Sequence, residues 1–302
     1  MALLDRAIVR ALPAVPRPVV KRLSQRYIAG PDLTDACNVV SELNEQGKMA
    51  TMDVLGEEIT SREEATALLE EYEDVFGAIG RNELDSNISV KLTGLGLKLD
   101  PDFCRDNIAE LVRDAAKRGN FVRIDMEDSS TTQETLDIYR DLRGQGLDNV
   151  GIVLQAYMKR TLADVADLAD LRPNVRVCKG IYVEPPDLAY QEFETVQINF
   201  VEAVEALLDA GSYVGVATHD DWVQAEALTL IEERGLAPEE YEFQMLLGVR
   251  PDLGDELVRE GHRLRIYVPF GRQWYEYSLR RLQENPKIAG YIALDTLKRL
   301  KP

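Results

Sequence analysis

Cysteine and histidine are scarce in this chain of 302 residues. Cys37, Cys104 and Cys178 are widely spaced and form no C-x-x-C motif, and the only histidines are His219 and His262. An odd number of scattered cysteines predicts neither a disulfide framework nor a zinc site, and two histidines exclude a multi-histidine metal centre. We therefore expect a protein of the reducing cytoplasm, without a metal, that would need a borrowed cofactor for redox chemistry.

A basic patch and long apolar runs are also missing from the body of the sequence. The net charge of −18 argues against nucleic acid as a partner, because binding to duplexes depends on basic patches. No run approaches the roughly 18 apolar residues of a membrane-spanning helix, and the N-terminus lacks the long apolar core and the cleavage site of a signal peptide. An apolar content of 45% still supplies a sizeable core.

The first 30 residues differ from the rest, because six basic residues and one aspartate give them a net charge of +5. Two apolar stripes, separated by prolines, predict two short amphipathic helices. The stripes consist of Leu4, Ile8 and Leu12 and of Val19, Leu23 and Tyr27. Two interpretations stay open for residues 1–28: peripheral contact with the inner face of an anionic membrane, or packing on the acidic body as a cap.

Short apolar strands alternate with amphipathic helices through the rest of the chain. Eight strand–helix units predict a (β/α)8 barrel, with residues 1–46 as an N-terminal helical extension and residues 47–302 as the catalytic domain. An open doubly wound sheet is the alternative, although no G-x-G-x-x-G sequence follows the first strand. The predicted strands are Met49–Leu55, Ile88–Leu92, Phe121–Met126, Val150–Ala156, Val175–Gly180, Tyr213–Thr218, Tyr241–Met245 and Arg263–Val268.

Several predicted strands end in polar or chemically active side chains. Active sites of (β/α)8 barrels lie at the C-terminal ends of the strands, and a charge that faces inward must find a partner. These residues therefore predict one shared ligand site. The polar ones are Glu57, Lys91, Asp125, Gln155, Arg176, Lys179, Thr218, His219 and Tyr267, and the apolar Leu246 closes the seventh strand at the same end.

The stretch GRQWYEYSLRRLQENP, residues 271–286, predicts a final helix with two different faces. The face predicted to pack consists of Tyr275, Leu279 and Leu282. The stripe roughly opposite consists of Tyr277, Arg280, Arg281 and Glu284. This stripe is either a solvated helix face or a clamp, in which two guanidinium groups bind one carboxylate and the tyrosine ring covers an apolar part of the ligand.

The run from Tyr277 to Glu284 resembles the Tyr-x-x-Arg-Arg-x-x-Glu signature of the proline dehydrogenases. Further motifs follow the same family in chain order: DVLGEE from Asp53, SVKLTGLG from Ser89, RIDMED from Arg123, VLQAY from Val153, RVCKGIY from Arg176, ATHD from Ala217, EFQMLLG from Glu242 and RIYVPFG from Arg265. The resemblance implies an enzyme that oxidises L-proline to 1-pyrroline-5-carboxylate by hydride transfer to N5 of FAD, the first step of proline catabolism. It also implies a membrane quinone as the acceptor of the electrons.

The resemblance implies roles for residues around the substrate. The residues implied to contact proline are Lys91, Leu246, Tyr267, Tyr277, Arg280 and Arg281. The lysine and the two arginines would hold the carboxylate, and the other three would wall the ring. Glu57 would pair with Arg280 in a gate over the site. Asp125 would keep Lys91 charged and oriented.

The resemblance also implies a set of cofactor contacts. These are Gln155, Arg176, Lys179, Gly180, Tyr182, Thr218 and His219. Arg176 is expected beside N5, where a guanidinium would stabilise the charge of the reduced ring, and it joins Lys91 and Asp125 as a catalytic candidate. The family motif often continues KGAYW, whereas this chain reads KGIYV, so no aromatic packing on the cofactor is expected there.

Two other functions fit the same residues. A barrel aldolase would use Lys91 or Lys179 as a Schiff-base nucleophile, and a non-catalytic barrel would bind a small anion. A yellow protein would exclude the colourless aldolase. Dye reduction with L-proline would exclude a barrel that only binds.

Overall fold

The eight predicted strands form a closed parallel barrel. In the computed structural model, which describes residues 26–57, 59–275 and 277–278, each strand pairs with the next along the chain and the last pairs with the first. The barrel prediction is confirmed, and the open sheet is wrong because the first and last strands hydrogen-bond to each other. The strands are β1 (Met49–Val54), β2 (Ser86–Val90), β3 (Val122–Ile124), β4 (Val150–Gln155), β5 (Asn174–Cys178), β6 (Tyr213–Ala217), β7 (Tyr241–Leu246) and β8 (Leu264–Phe270).

Amphipathic helices surround the barrel. They are α1 (Leu33–Glu45), α2 (Arg62–Arg81), α3 (Pro101–Lys117), α4 (Thr132–Gly144), α5 (Thr161–Leu168), α6 (Phe193–Asp209), α7 (Asp221–Arg234) and α8 (Pro251–Arg259). Before α6, Ala189 forms a β-bridge with Met158, and the helix begins only at Phe193.

Two predicted segments fall largely outside the described residues. They are the basic helices within residues 1–25 and the part of the final helix after Ser278. Residues 274–275 and 277–278 of that final helix are helical. Helix α1, placed with the N-terminal extension above, packs against β1 and β8. The domain boundary at residue 46 stays a prediction.

The barrel has a polar interior and an apolar outer face. In β1, Ala50, Met52 and Val54 belong to the apolar core under the helices, whereas the alternate residues Thr51 and Asp53 are buried polar groups. Side chains alternate between the two faces of a strand, so the second set points into the barrel. Barrel interiors are more often filled by Val, Ile and Leu. This interior must therefore be held together by paired charges and hydrogen bonds.

The lower part of this interior, away from the strand C-termini, is built around two buried arginines. Arg123 on β3 donates to the carbonyl oxygens of Ile152 and Asn174, at 2.9 and 2.7 Å. Arg265 on β8 donates through Nε to both carboxylate oxygens of Glu242, at 2.9 and 3.1 Å. Burial opposes ionisation of Glu242, but Arg265 outweighs it and holds the pKa of Glu242 below its usual value. A buried ion pair of this kind tolerates the loss of neither partner.

Candidate active site

A cavity of about 260 Å³ opens at the C-terminal ends of the strands. It lies where the barrel fold places its active sites. Ten of the residues singled out in the sequence line this one space: Lys91, Asp125, Gln155, Arg176, Lys179, Gly180, Tyr182, His219, Leu246 and Tyr267. Apolar side chains complete the wall, among them Met126, Val153 and Met245. The space is therefore mixed in character, with charges on part of its wall and hydrocarbon on the rest.

Lys91, just after β2, lies within ion-pair distance of three carboxylates. Its ammonium group donates to Oδ2 of Asp53 at 2.8 Å and to the hydroxyl of Tyr267 at 3.3 Å. Oxygens of Glu57 and Asp125 lie 3.6 and 3.8 Å away. Burial alone would lower the pKa of this lysine, but the negative charges around it raise the pKa well above its ordinary value. Lys91 is therefore a fixed cation and is unsuited to Schiff-base chemistry, which needs a neutral amine.

Asp53 is the residue that the sequence analysis missed in this cluster. It is fully buried, accepts hydrogen bonds from Lys91 and from Tyr267 at 2.6 Å, and leaves Oδ1 without a hydrogen-bond partner among the described residues. Burial raises the pKa of this carboxyl group, and Lys91 counteracts that effect only in part. The signal was present, because an aspartate inside an apolar strand must have a buried partner.

Arg176 on β5 is held by three neighbours. Its Nη1 donates to Oδ1 of Asp125 at 2.7 Å and to Ser89 at 3.3 Å, and its Nε donates to Oε1 of Gln244 at 2.5 Å. The guanidinium carbon lies 5.5 Å from the centre of the Tyr267 ring. Arg176 is only 7% exposed, so these contacts fix its orientation. Asp125, assigned above to Lys91, is therefore closer to Arg176 and holds both cations.

The residues assigned to the cofactor differ in how much of their bonding capacity is already used. Gln155 donates through Nε2 to the carbonyl oxygens of Met126 and Glu127, at 2.8 and 3.0 Å. Its two amide protons are thus committed, and its carbonyl oxygen stays an acceptor at the cavity wall. The ammonium group of Lys179 lies 4.5 Å from the centre of the Phe193 ring.

Gly180 has a structural reason to lack a side chain. Its φ is +98°, and a Cβ atom there would lie 2.1 Å from the ring of Tyr157. The backbone at Gly180 therefore closely approaches Tyr157 in the described structure. Tyr182, two residues further on, lies at the cavity wall, and burial raises the pKa of its hydroxyl.

His219 is a satisfied, neutral side chain at the cavity wall. Its Nε2 accepts a hydrogen bond of 3.0 Å from the backbone N–H of Leu246. Burial lowers the pKa of His219 to about 4. The ring therefore ties the loop after β6 to the end of β7 and helps to place Leu246. Thr218 does not line the cavity; its hydroxyl accepts from the N–H of Asp220, the N-cap of α7.

Tyr277 is more buried than the helical pattern predicts, and its contact with proline stays a prediction. It is 4% exposed and packs in a small apolar cluster with Ile28 and Leu55, while Tyr275, assigned above to the packed face, is only half-buried. Helical spacing cannot show that the chain at Ile28 returns to cover this turn. Arg280 and Arg281 lie outside the described residues, so the gate formed by Glu57 and Arg280 stays a prediction. Glu57 itself pairs with Lys91.

Comparison with known proteins identifies the family. A family model for proline dehydrogenase matches residues 36–293. Proline dehydrogenase 1 of Bacillus subtilis is 37% identical over 276 residues, which cover 91% of each chain. The chain belongs to the proline dehydrogenase family. Proline dehydrogenase of Deinococcus radiodurans is 36% identical over 280 residues, covering 91% of this chain and 90% of that protein. Family membership makes the chain an oxidoreductase and rules out the aldolase and the purely binding barrel.

Solved structures support the fold of this family member. Proline utilization A (PutA) from Bdellovibrio bacteriovorus, inactivated by N-propargylglycine, matches with a TM-score of 0.82 at 22% identity. The match covers 91% of this chain and 36% of that longer protein, and at this identity it supports the barrel fold alone. Within the described residues, no three His, Cys, Asp or Glu side chains are grouped to hold a metal ion.

Proposed function

We propose that this member of the proline dehydrogenase family oxidises L-proline to 1-pyrroline-5-carboxylate with FAD as its cofactor and a membrane quinone as the final electron acceptor. The observation that carries the proposal is the cavity at the barrel mouth. It brings Lys91, Arg176 and Tyr267 to one space of small-molecule size. Family membership supplies the reaction class, and the contacts around these residues support their individual roles.

The charges at the cavity suit an amino acid that carries both signs. Asp53, Glu57 and Asp125 lie within ion-pair distance of Lys91, and Asp125 also pairs with Arg176. Carboxyl groups gathered at one place suit a cation, and the ammonium group of prolinium provides one. Lys91 and Arg176 already pair with these carboxyl groups, so the proline carboxylate would need further cations.

The carboxylate is the expected ligand of Arg280 and Arg281, with help from Lys91. An ammonium group has three N–H donors, and hydrogen bonds to Asp53 and Tyr267 occupy two of them. The third donor of Lys91 can therefore reach a bound carboxylate. Its three acidic neighbours keep the lysine charged for this purpose. Leu246 and Tyr267 at the cavity wall offer the hydrocarbon surface that a saturated ring requires.

The polar groups of the wall fit a flavin. When bound, FAD would supply a two-electron acceptor for the hydride from proline C5. Arg176 presents a guanidinium that Asp125, Ser89 and Gln244 hold rigidly, and a fixed cation stabilises negative charge without reorganising. The carbonyl oxygen of Gln155 can accept a hydrogen bond from an N–H group of the cofactor. The ammonium group of Lys179 can form an ion pair with the pyrophosphate.

Contact with a membrane is the part of the proposal that concerns the N-terminal segment. It rests on the basic, amphipathic residues 1–28 and on the need to pass electrons to a quinone. The part of this segment that is available to a membrane is shorter than predicted, because Tyr27 and Ile28 already pack with Leu55 and Tyr277. Residues 1–25 are therefore the part proposed to reach a membrane surface. Among the described residues no helix is long and apolar enough to span a membrane.

Absorption spectroscopy tests the central proposal. The purified protein should be yellow, and anaerobic L-proline should bleach the flavin bands while D-proline should not. An o-aminobenzaldehyde trap should detect the cyclic imine, and the mass of the released cofactor should distinguish FAD from FMN. A colourless protein, or flavin bands that L-proline leaves unchanged, would contradict the proposal.

A further inference from the structure

Beneath the cavity, Arg176 is the last member of a chain of buried polar side chains. Arg176 donates through Nε to Oε1 of Gln244 at 2.5 Å, and Gln244 donates through Nε2 to Oε1 of Glu242 at 2.5 Å. Glu242 in turn accepts from Arg265 at 2.9 and 3.1 Å and from the hydroxyl of Tyr213 at 3.0 Å. All of these residues except Tyr213 are less than one tenth exposed.

The chemistry of these hydrogen-bonded side chains permits only one orientation of the Gln244 amide. The guanidinium of Arg176 can only donate, so it must meet the carbonyl oxygen of the amide. Ionised Glu242 can only accept, so it must meet the amide nitrogen. Arg265 keeps Glu242 ionised by holding its pKa below the usual value. A charged acceptor at one end and a charged donor at the other thus fix the amide between them.

The backbone of β6 makes room for this connection. In the sheet register Gly215 lies between Arg176 on β5 and Glu242 on β7. A Cβ atom at Gly215 would lie 2.6 Å from Nε2 of Gln244 and 3.1 Å from its amide carbon. The side chain of Gln244 therefore crosses β6 through the space that this glycine leaves, and it reaches an arginine two strands away.

We propose that Gln244 is a positioning residue for Arg176, with its amide oriented by Glu242 and its path provided by Gly215. The proposal rests on the proposed function, in which Arg176 acts beside the flavin. Gln244 also lines the cavity, but this role does not require it to touch proline. It restrains the guanidinium, and Asp125 restrains the same group from the other side.

Two substitutions test the proposal through different atoms. Gln244→Met removes the acceptor while keeping the length of the side chain. Gly215→Ala keeps the glutamine but places a methyl group where its amide lies. Gly144→Ala at the end of α4 is the matched control, because its Cβ atom would meet no atom within 4 Å. Melting temperature and flavin content establish that each variant is folded.

Three readouts separate positioning from general damage. In protein freed of flavin, hydrogen exchange at Nε–H of Arg176, assigned by its loss in Arg176→Lys, should accelerate at least about tenfold in both test variants. In the holoenzyme, the limiting rate of flavin reduction by proline should fall about tenfold or more, because a hydrogen bond to a charged group is lost. The proline dissociation constant should change by less than about twofold.

The results also distinguish this proposal from the proposed function. Unchanged exchange and an unchanged reduction rate in folded Gln244→Met and Gly215→Ala would overturn the positioning role while proline oxidation stands. A parent protein that proline does not reduce would overturn the proposed function, and with it the catalytic part of the role. If Gln244→Met fails to fold, Gly215→Ala alone tests the positioning role, since it retains every polar side chain of the hydrogen-bonded series.

Discussion

Replacing Glu127 by glutamine should remove a pH dependence that this carboxyl group imposes on stability. Glu127 lies in the loop after β3, is 5% exposed, and accepts hydrogen bonds from the N–H of Thr93 at 3.0 Å and from its hydroxyl at 2.5 Å. It thus ties the β3 loop to the turn after β2, the two segments that carry Asp125 and Lys91. Burial is the main cause that raises the pKa of Glu127 from 4.5 to about 7, against the hydrogen bonds from Thr93.

The direction of this pH dependence follows from how many protons the folded and unfolded states bind. Folded Glu127 holds its proton up to about pH 7, whereas the unfolded carboxyl releases it near pH 4.5. The folded state therefore binds more protons between these values, and the free energy of unfolding falls as pH rises through this window. A raised pKa of this size corresponds to about 3 kcal/mol at about 1.4 kcal/mol per pH unit. Between pH 5 and pH 8 about 2–3 kcal/mol should be lost, because the unfolded group is already partly ionised at pH 5.

Urea unfolding of the parent and of Glu127→Gln at several pH values between 5 and 8 measures this effect. Glutamine can accept from the backbone of Thr93 and donate to its hydroxyl, so the local contacts are preserved. The parent should lose stability relative to the variant by about 2–3 kcal/mol across the range. The variant Glu134→Gln, at an exposed position of α4, controls for the loss of one negative charge. Parallel profiles for parent and Glu127→Gln would refute the reasoning, because no proton would then be taken up at this site on folding.

Three further predictions concern the proposed reaction. Arg176→Met should lower the reduction potential of the flavin and slow its reduction more than it weakens proline binding; an unchanged potential and rate would remove Arg176 from this role. Arg280→Met and Arg281→Met should each weaken proline and carboxylate inhibitors roughly ten- to a hundredfold at full flavin content, with non-additive losses in the double variant. Affinities equal to those of the parent protein would favour the interpretation of this stripe as a solvated helix face. Removal of residues 1–25 should reduce co-sedimentation with anionic vesicles at low salt and leave dye-coupled turnover intact, and equal sedimentation would contradict the membrane role.

The barrel was predictable from the sequence because its outer face is regular. Valines and isoleucines on alternate strand positions pack under the helices, and each helix repeats its apolar residues at helical spacing. The ends of α2, α3 and α7 follow from local chemistry as well. Ser61, Asp100 and Asp220 cap these helices by accepting hydrogen bonds from backbone N–H groups of the first turn. None of these features depends on long-range contacts.

The pairing inside the barrel was not predictable in the same way. Asp53 and Tyr267 meet because β8 closes on β1, a contact between residues 214 positions apart. Gln244 reaches Arg176 because β6 offers a glycine at the right level of the sheet. Periodicity shows which side chains face inward, but the register between strands decides which of them touch. Many of the residues that line the cavity were therefore predictable, whereas Asp53 was not, and Asp125 lies closer to Arg176 than to the predicted partner Lys91.

The polar interior explains why these pairings are connected. Lys91 and Arg176 do not have separate counter-ions, since Asp125 lies within 3.8 Å of the first and 2.7 Å of the second. Tyr267 adds a further link, because its hydroxyl lies 2.6 Å from Asp53 and 3.2 Å from Asp125, and its single proton can be donated to either carboxyl group. A change of charge at any one of these groups must therefore shift the ionisation of the others. A barrel filled with hydrocarbon could hold the same shape, but it could not keep two cations charged and oriented at the edge of a buried cavity.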